Sequence, residues 1–137
     1  MITQRALITT LLAAALAAPA LAAGPEEQTQ GSTRYLTGGI GQDEVQALRE
    51  ASSRYPLAMT FTANTGQYVA DVKVTIKGRK GETLLDTVST GPMMLVDLPP
   101  GQYTVAATLE GKTLTRKVTL AKNTRHRLVL RWENVSA

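Results

Sequence analysis

From Leu57 onward, apolar and polar residues alternate with a period of two. Leu57, Met59, Phe61 and Ala63 take one side and Ala58, Thr60 and Thr62 the other, until Asn64-Thr65-Gly66 turns the chain. Ala70, Val72, Val74 and Ile76 alternate in the same way with Asp71, Lys73, Thr75 and Lys77, up to the turn Gly78-Arg79-Lys80-Gly81. Five further runs follow: Thr83 to Ser89, Met93 to Leu98, Gln102 to Leu109, Leu114 to Leu120 and Arg125 to Trp132. Successive side chains of a strand point to opposite faces, so each run is a half-buried strand. Short strands recurring at turn-to-turn intervals of about ten residues predict an all-β fold, a seven-stranded antiparallel β-sandwich over 56–134.

Before Leu57 the pattern is different. Val45, Leu48 and Tyr55 recur at spacings of three and seven, which predicts one short amphipathic helix over 43–55, capped by Asp43 and closed by Pro56. Gly24 to Gly41 is rich in Gly, Gln, Thr and Glu with few core-type residues, so 23–42 is expected to be a flexible leader. The first residues have the organisation of a secretory signal peptide: a positive start ending at Arg5, an apolar run from Ala6 to Ala18, and the small-x-small site Ala20-Leu21-Ala22. A membrane span needs about 20 uninterrupted apolar residues, and Thr9, Thr10 and Pro19 flank or interrupt this one. The expectation is a signal peptide over 1–22 and a soluble protein that is periplasmic or secreted after its cleavage.

In the stretch Leu95 to Lys112, Pro99, Pro100 and Gly101 form the punctuation. Pro100 presets φ for the first central position of a type II turn and Gly101 supplies positive φ at the second, so a tight turn is expected there, with Leu98 and Tyr103 at the strand mouths.

Ala70 to Lys112 resembles the carboxypeptidase regulatory-like domain, which is similar to the collagen-adhesin B-type and transthyretin-like (prealbumin-like) sandwiches. The features carrying the resemblance are the inward strand ending in a Gly-rich turn, Asp86-Thr87-Val88-Ser89-Thr90-Gly91-Pro92, and the apolar strand running into Leu98-Pro99-Pro100-Gly101-Gln102-Tyr103. The upstream segment from Gly38 to Phe61 is similar to small exported bacterial proteins of this type. The resemblance implies a fold and no activity, because the domain is not catalytic where it accompanies metallocarboxypeptidases. Transthyretin-like sandwiches include a hydrolase of purine breakdown with several His and a C-terminal Tyr-Arg-Gly-Ser, which this chain, ending in Val135-Ser136-Ala137, does not share. Adhesin relatives form a Lys–Asn cross-link from a first-strand Lys, and Leu57 to Ala63 contains none.

Composition narrows the chemistry further. The chain has no Cys and a single His, which removes disulfides, thiolate nucleophiles and the usual zinc constellations. No cofactor or metal is expected, and no enzymatic activity. His126 alternates with Leu128, Leu130 and Trp132, at the inner end of a strand, and no nucleophile elbow accompanies Ser89, Asp97 and His126 as a triad. Without Arg5, 14 Lys and Arg stand against 11 Asp and Glu, a net charge of +3. That is mild, and in an exported protein nucleic acid is not an expected partner.

What remains is surface. Arg125, Arg127 and Arg131 share one face of the last strand with Val129 between them, and Lys117 on the preceding strand is expected on the same side. A charged edge strand resists edge-to-edge association; a basic strip also suits acidic partners. Tyr35, Tyr55 and Tyr68 fall outside the core alternation, and Met93 alternates away from Met94 and Val96 as an exposed apolar contact. The sequence therefore predicts a non-enzymatic periplasmic module binding an envelope protein or complex through an edge strand or loop end. The alternative is a binder of carbohydrate or anionic envelope polymer using the basic face.

Overall fold

The computed structural model describes residues 24–135, so the predicted signal peptide lies outside the described residues. All seven predicted strands are present: β3 (Leu57–Ala63), β4 (Lys73–Gly78), β5 (Thr83–Val88), β6 (Met93–Asp97), β7 (Gly101–Leu109), β8 (Lys112–Leu120) and β9 (His126–Trp132). Two more come from the segment expected to be a loose leader, β1 (Gln28–Gln30) and β2 (Thr33–Gly38). One sheet has the order β1-β2-β6-β3-β9 and the other β5-β4-β7-β8. The sandwich therefore has nine strands among the described residues, and it is not wholly antiparallel, since β9 runs parallel to β3.

The leader region gives no strand signal in the sequence because β2 is covered on both faces. Tyr35 points into the main core and Leu36 to the other side, beneath the helix, and both are buried. A strand buried on both faces loses the two-residue alternation that marks a half-exposed one. Its buried threonine is satisfied locally: the Thr37 hydroxyl donates to the Met93 carbonyl (3.0 Å) and accepts from the Thr90 N–H (3.2 Å), which removes the desolvation penalty of an unpaired group. Gln30 at the end of β1 closes that side of the sandwich. Its amide nitrogen donates to the Asp86 carbonyl (3.1 Å) and its oxygen accepts from the Asp86 N–H (2.7 Å), so a side chain occupies the edge of β5 as a strand would.

The helix α1 (Gln42–Ala51), followed by a 3-10 turn at Ser52–Arg54, sits between β2 and β3 and does not precede the whole sandwich. Asp43 lies within its first turn. Gly41 holds the cap position, and the Glu44 carboxylate accepts from the N–H groups of Gly39 (3.0 Å) and Ile40 (3.1 Å). Leu48, Ala51 and Tyr55 pack with Leu36 and Leu95 into a second small core on the outer face of the first sheet. The main core lies between the sheets, where Leu57, Met59 and Phe61 of β3 meet Val74 and Ile76 of β4, Val105 of β7, and Leu130 and Trp132 of β9.

Pro99, Pro100 and Gly101 form a corner between sheets rather than a hairpin, because β6 and β7 belong to different sheets. Gly101 has φ 159, close to extended backbone and far from the type II value near +80°, and it opens β7. The corner is fastened instead by Tyr103, whose hydroxyl donates to the Pro99 carbonyl. The two-residue turn that does need positive φ is Glu110-Gly111, with φ 51 and 78, joining β7 to β8 in the type I′ pattern that suits a twisted hairpin.

Candidate functional site

The outer face of the first sheet is only partly covered. Across it run two rows of paired residues, Leu36, Leu95, Ala58 and Arg127 in one, Gly38, Met93, Thr60 and Val129 in the other. The helix shields the β2 and β6 end of these rows. On β3 the outward residues are small, so the surface drops between the helix and the longer side chains of β9. The result is a groove of about 270 Å³ whose lining includes Val45, Arg49, Met93, Leu95, Tyr68 and Val129, with Arg127 beside them. Val129 and Tyr68 are each 62% exposed, an unusual pair of large apolar groups flanking one depression.

A second depression, about 460 Å³ and more open, lies at the adjoining end of the sandwich. Arg54, Lys122 and Arg125 line it, with Pro56, Leu98, Leu120 and Asn123. The two adjoin along three stretches: Ser52 lines the groove and Ser53 the cleft, Ala58 the groove and Pro56 the cleft, Arg127 the groove and Arg125 the cleft. Five cations line the pair and no Asp or Glu does. In a chain with 11 carboxylates, this is a local separation of charge that favours an anionic ligand.

The residues singled out from sequence divide accordingly. Arg127 and Val129 flank the groove, Met93 and Tyr68 join them, and Arg125 turns into the end cleft. Arg131 faces outward on the same strand and donates to the Asn64 carbonyl, which fastens the loop leading to Tyr68. Lys117 does not belong with them. It pairs with Thr104 on the outward side of β8, in the other sheet, so it faces away from the arginine strip. Tyr35 and Tyr55 are buried rather than exposed. Arg49 and Arg54 gave no sequence signal as site residues, because only the packing of α1 onto the sheet brings them opposite β9.

Ser89, Asp97 and His126 are not assembled. Ser89 precedes β6, is buried, and accepts a hydrogen bond from the Val72 N–H (3.0 Å). Asp97 closes β6, about 13 Å beyond the start of that strand, in an ion pair with Arg34. Among the described residues no group of three or more His, Cys, Asp or Glu is placed to hold a metal ion, and no helix is long and apolar enough to cross a membrane.

Tyr55 lines the end cleft, and its hydroxyl donates to the Glu27 carboxylate, holding the strand-leading segment against the end of the helix. Burial first, and then that hydrogen bond, push the phenol up to about 12. The folded value lies above the ordinary value near 10, so the contribution is complete below about pH 10 and is lost as pH rises through about 12. Burial raises Tyr103 as well. Tyr55→Phe is therefore expected to lower stability by about 1–2 kcal/mol at neutral pH and to shrink, without abolishing, the fall in stability between about pH 10 and 12. Urea titrations across that range check both.

No family model matches the chain, and no curated protein matches it. Among solved structures it is similar to the crystal structure of BcpA, the major pilin subunit of Bacillus cereus, with 13% identity and a TM-score of 0.37 over 56% of this chain. The match spans 27% of the pilin.

Proposed function

We propose that this chain is a non-enzymatic binding module of the bacterial envelope, periplasmic or secreted once its signal peptide is removed, which docks an envelope protein in the groove between α1 and β9. The observation that carries the reading is the groove itself: Val129 and Tyr68 stand exposed beside an apolar floor, rimmed by Arg49 and Arg127. Neither guanidinium has a carboxylate partner among the ion pairs of the described residues. An interface built this way has apolar anchors at its centre and charge at its rim.

The test is photo-crosslinking in the native envelope, with a crosslinking residue placed at Val129 and, as control, at Thr104 on the opposite sheet. A discrete protein is expected at Val129 and not at Thr104. Thr60→Phe, which fills the groove floor, should abolish that capture while changing stability by less than about 1 kcal/mol. Equal capture at both positions, or capture that survives Thr60→Phe, would remove the groove from the reading.

A second reading rests on the end cleft, whose lining includes Arg54, Lys122 and Arg125 and no Asp or Glu. There the ligand is an anionic envelope polymer or glycan. It predicts no protein at Val129, and retention on isolated cell-wall or outer-membrane material that is lost as salt screens the charges.

A further inference from the structure

The groove and the cleft have different chemistry and lie end to end. A volume of about 270 Å³ is below the range of about 300–1,000 Å³ typical of pockets that enclose a whole small molecule. It suits one or two side chains of a longer partner, an anchor of the kind that dominates binding energy at protein interfaces. The cleft offers no comparable apolar enclosure, but supplies three cations.

The spacing along β9 connects them. Val129 flanks the groove and Arg127 its rim, two residues apart on the outward side of β9, and the exposed Arg125 lies in the cleft two residues further back, just before the strand begins. An extended chain rises about 3.3 Å per residue, so a segment lying alongside β9 keeps step with these positions. From these observations we infer that the partner docked in the groove presents an extended acidic segment, with one apolar anchor seated between Met93 and Val129. Its carboxylates lie about two and four positions from the anchor, beside Arg127 with Arg49 and then beside Arg125 with Arg54 and Lys122. The inference rests on the docking reading above and names the partner's chemistry. Acidic residues at these positions gain attraction at several cations at once, while a basic segment of the same shape is repelled, so charge provides the selectivity.

The test uses short synthetic peptides with a common Leu-Phe anchor followed by a Glu-rich or a Lys-rich tail, titrated against the mature protein by fluorescence anisotropy. The Glu-tailed peptide is expected to bind and the Lys-tailed one not to. The triple variant Arg54→Glu, Lys122→Glu, Arg125→Glu should weaken Glu-tailed binding by at least about tenfold, and Thr60→Phe should weaken it independently of salt. Equal binding of both peptides, binding of neither, or indifference to the triple variant overturns the inference. Flotation with vesicles of phosphatidylcholine containing anionic phosphatidylglycerol, lost in the triple variant while neither peptide binds, assigns the cations to a membrane surface and overturns it as well. Crosslinking at Val129 separates the two levels: if capture there persists in the triple variant and no peptide binds, docking stands and the acidic segment falls. If capture at Val129 fails, the docking reading itself falls.

Discussion

Trp132→Ala should destabilise the protein by about 3–5 kcal/mol, the largest loss expected from any single side-chain truncation in this chain. Trp132 is 1% exposed at the end of β9, with its ring 6.1 Å from Phe61 and tilted by 56°. Tilted packing at this distance adds to the area the indole buries. Its Nε1–H donates to the Lys112 carbonyl (2.9 Å), and the Lys112 ammonium reaches forward to the carbonyls of Glu133 (3.2 Å) and Asn134 (2.6 Å). These bonds join the end of β9 to the start of β8 and so tie the two sheets together along their open side. Truncation leaves a cavity, loses the aromatic contact and leaves the Lys112 carbonyl without its indole donor. Urea unfolding followed by far-ultraviolet circular dichroism measures the loss, because the substitution also removes the only Trp and with it the intrinsic fluorescence signal. A loss below about 1 kcal/mol would show that β9 is not anchored through this residue.

Gly91→Ala is expected to cost about 3 kcal/mol, although it adds a single methyl group. A Cβ at Gly91 would lie 2.3 Å from the Gly38 carbonyl oxygen and 2.5 Å from its carbon. Both are backbone atoms of β2, held by the β2–β6 ladder, so no side-chain rotation relieves the clash. The loop before β6 and the end of β2 must separate, which also disturbs the Thr90 to Thr37 hydrogen bond. Because β2 carries Leu36 beneath α1, the disturbance should loosen the helix as well. The checkable consequence is faster amide exchange at positions of α1 such as Val45 and Leu48, together with a lower urea midpoint. Gly66→Ala, with open space around the position and φ 92, provides the comparison: its cost is conformational and local, about 1 kcal/mol, and should leave α1 exchange unchanged.

The arginine strip illustrates how a correct local reading can still misplace a site. Arg127 and Arg131 share the outward side of β9, because alternation depends only on backbone geometry, whereas Arg125 lies just before that strand and lines the end cleft. Lys117 obeys the same rule on its own strand, where the outward side belongs to the other sheet. Alternation says which residues of one strand share a face; it does not say which sheet the strand joins.

The seven strands from β3 to β9 and the amphipathic helix were legible in the sequence, since each depends on local periodicity and turn residues. The inward position of His126 with Leu128, Leu130 and Trp132 followed from the same period. Tertiary structure alone decided the remainder. β2 becomes a strand because β6 offers it an edge and α1 covers it from outside, so its burial does not alternate, and β1 in turn pairs with β2. The corner at Pro99, Pro100 and Gly101 crosses between sheets because β7 pairs with β4 and β8 rather than with β6. The groove exists because a helix from one part of the chain and a strand from another flank small residues on β3. Its chemistry comes from Arg49 and Arg127, Met93 and Val129, residues far apart in sequence that only non-local pairing brings together.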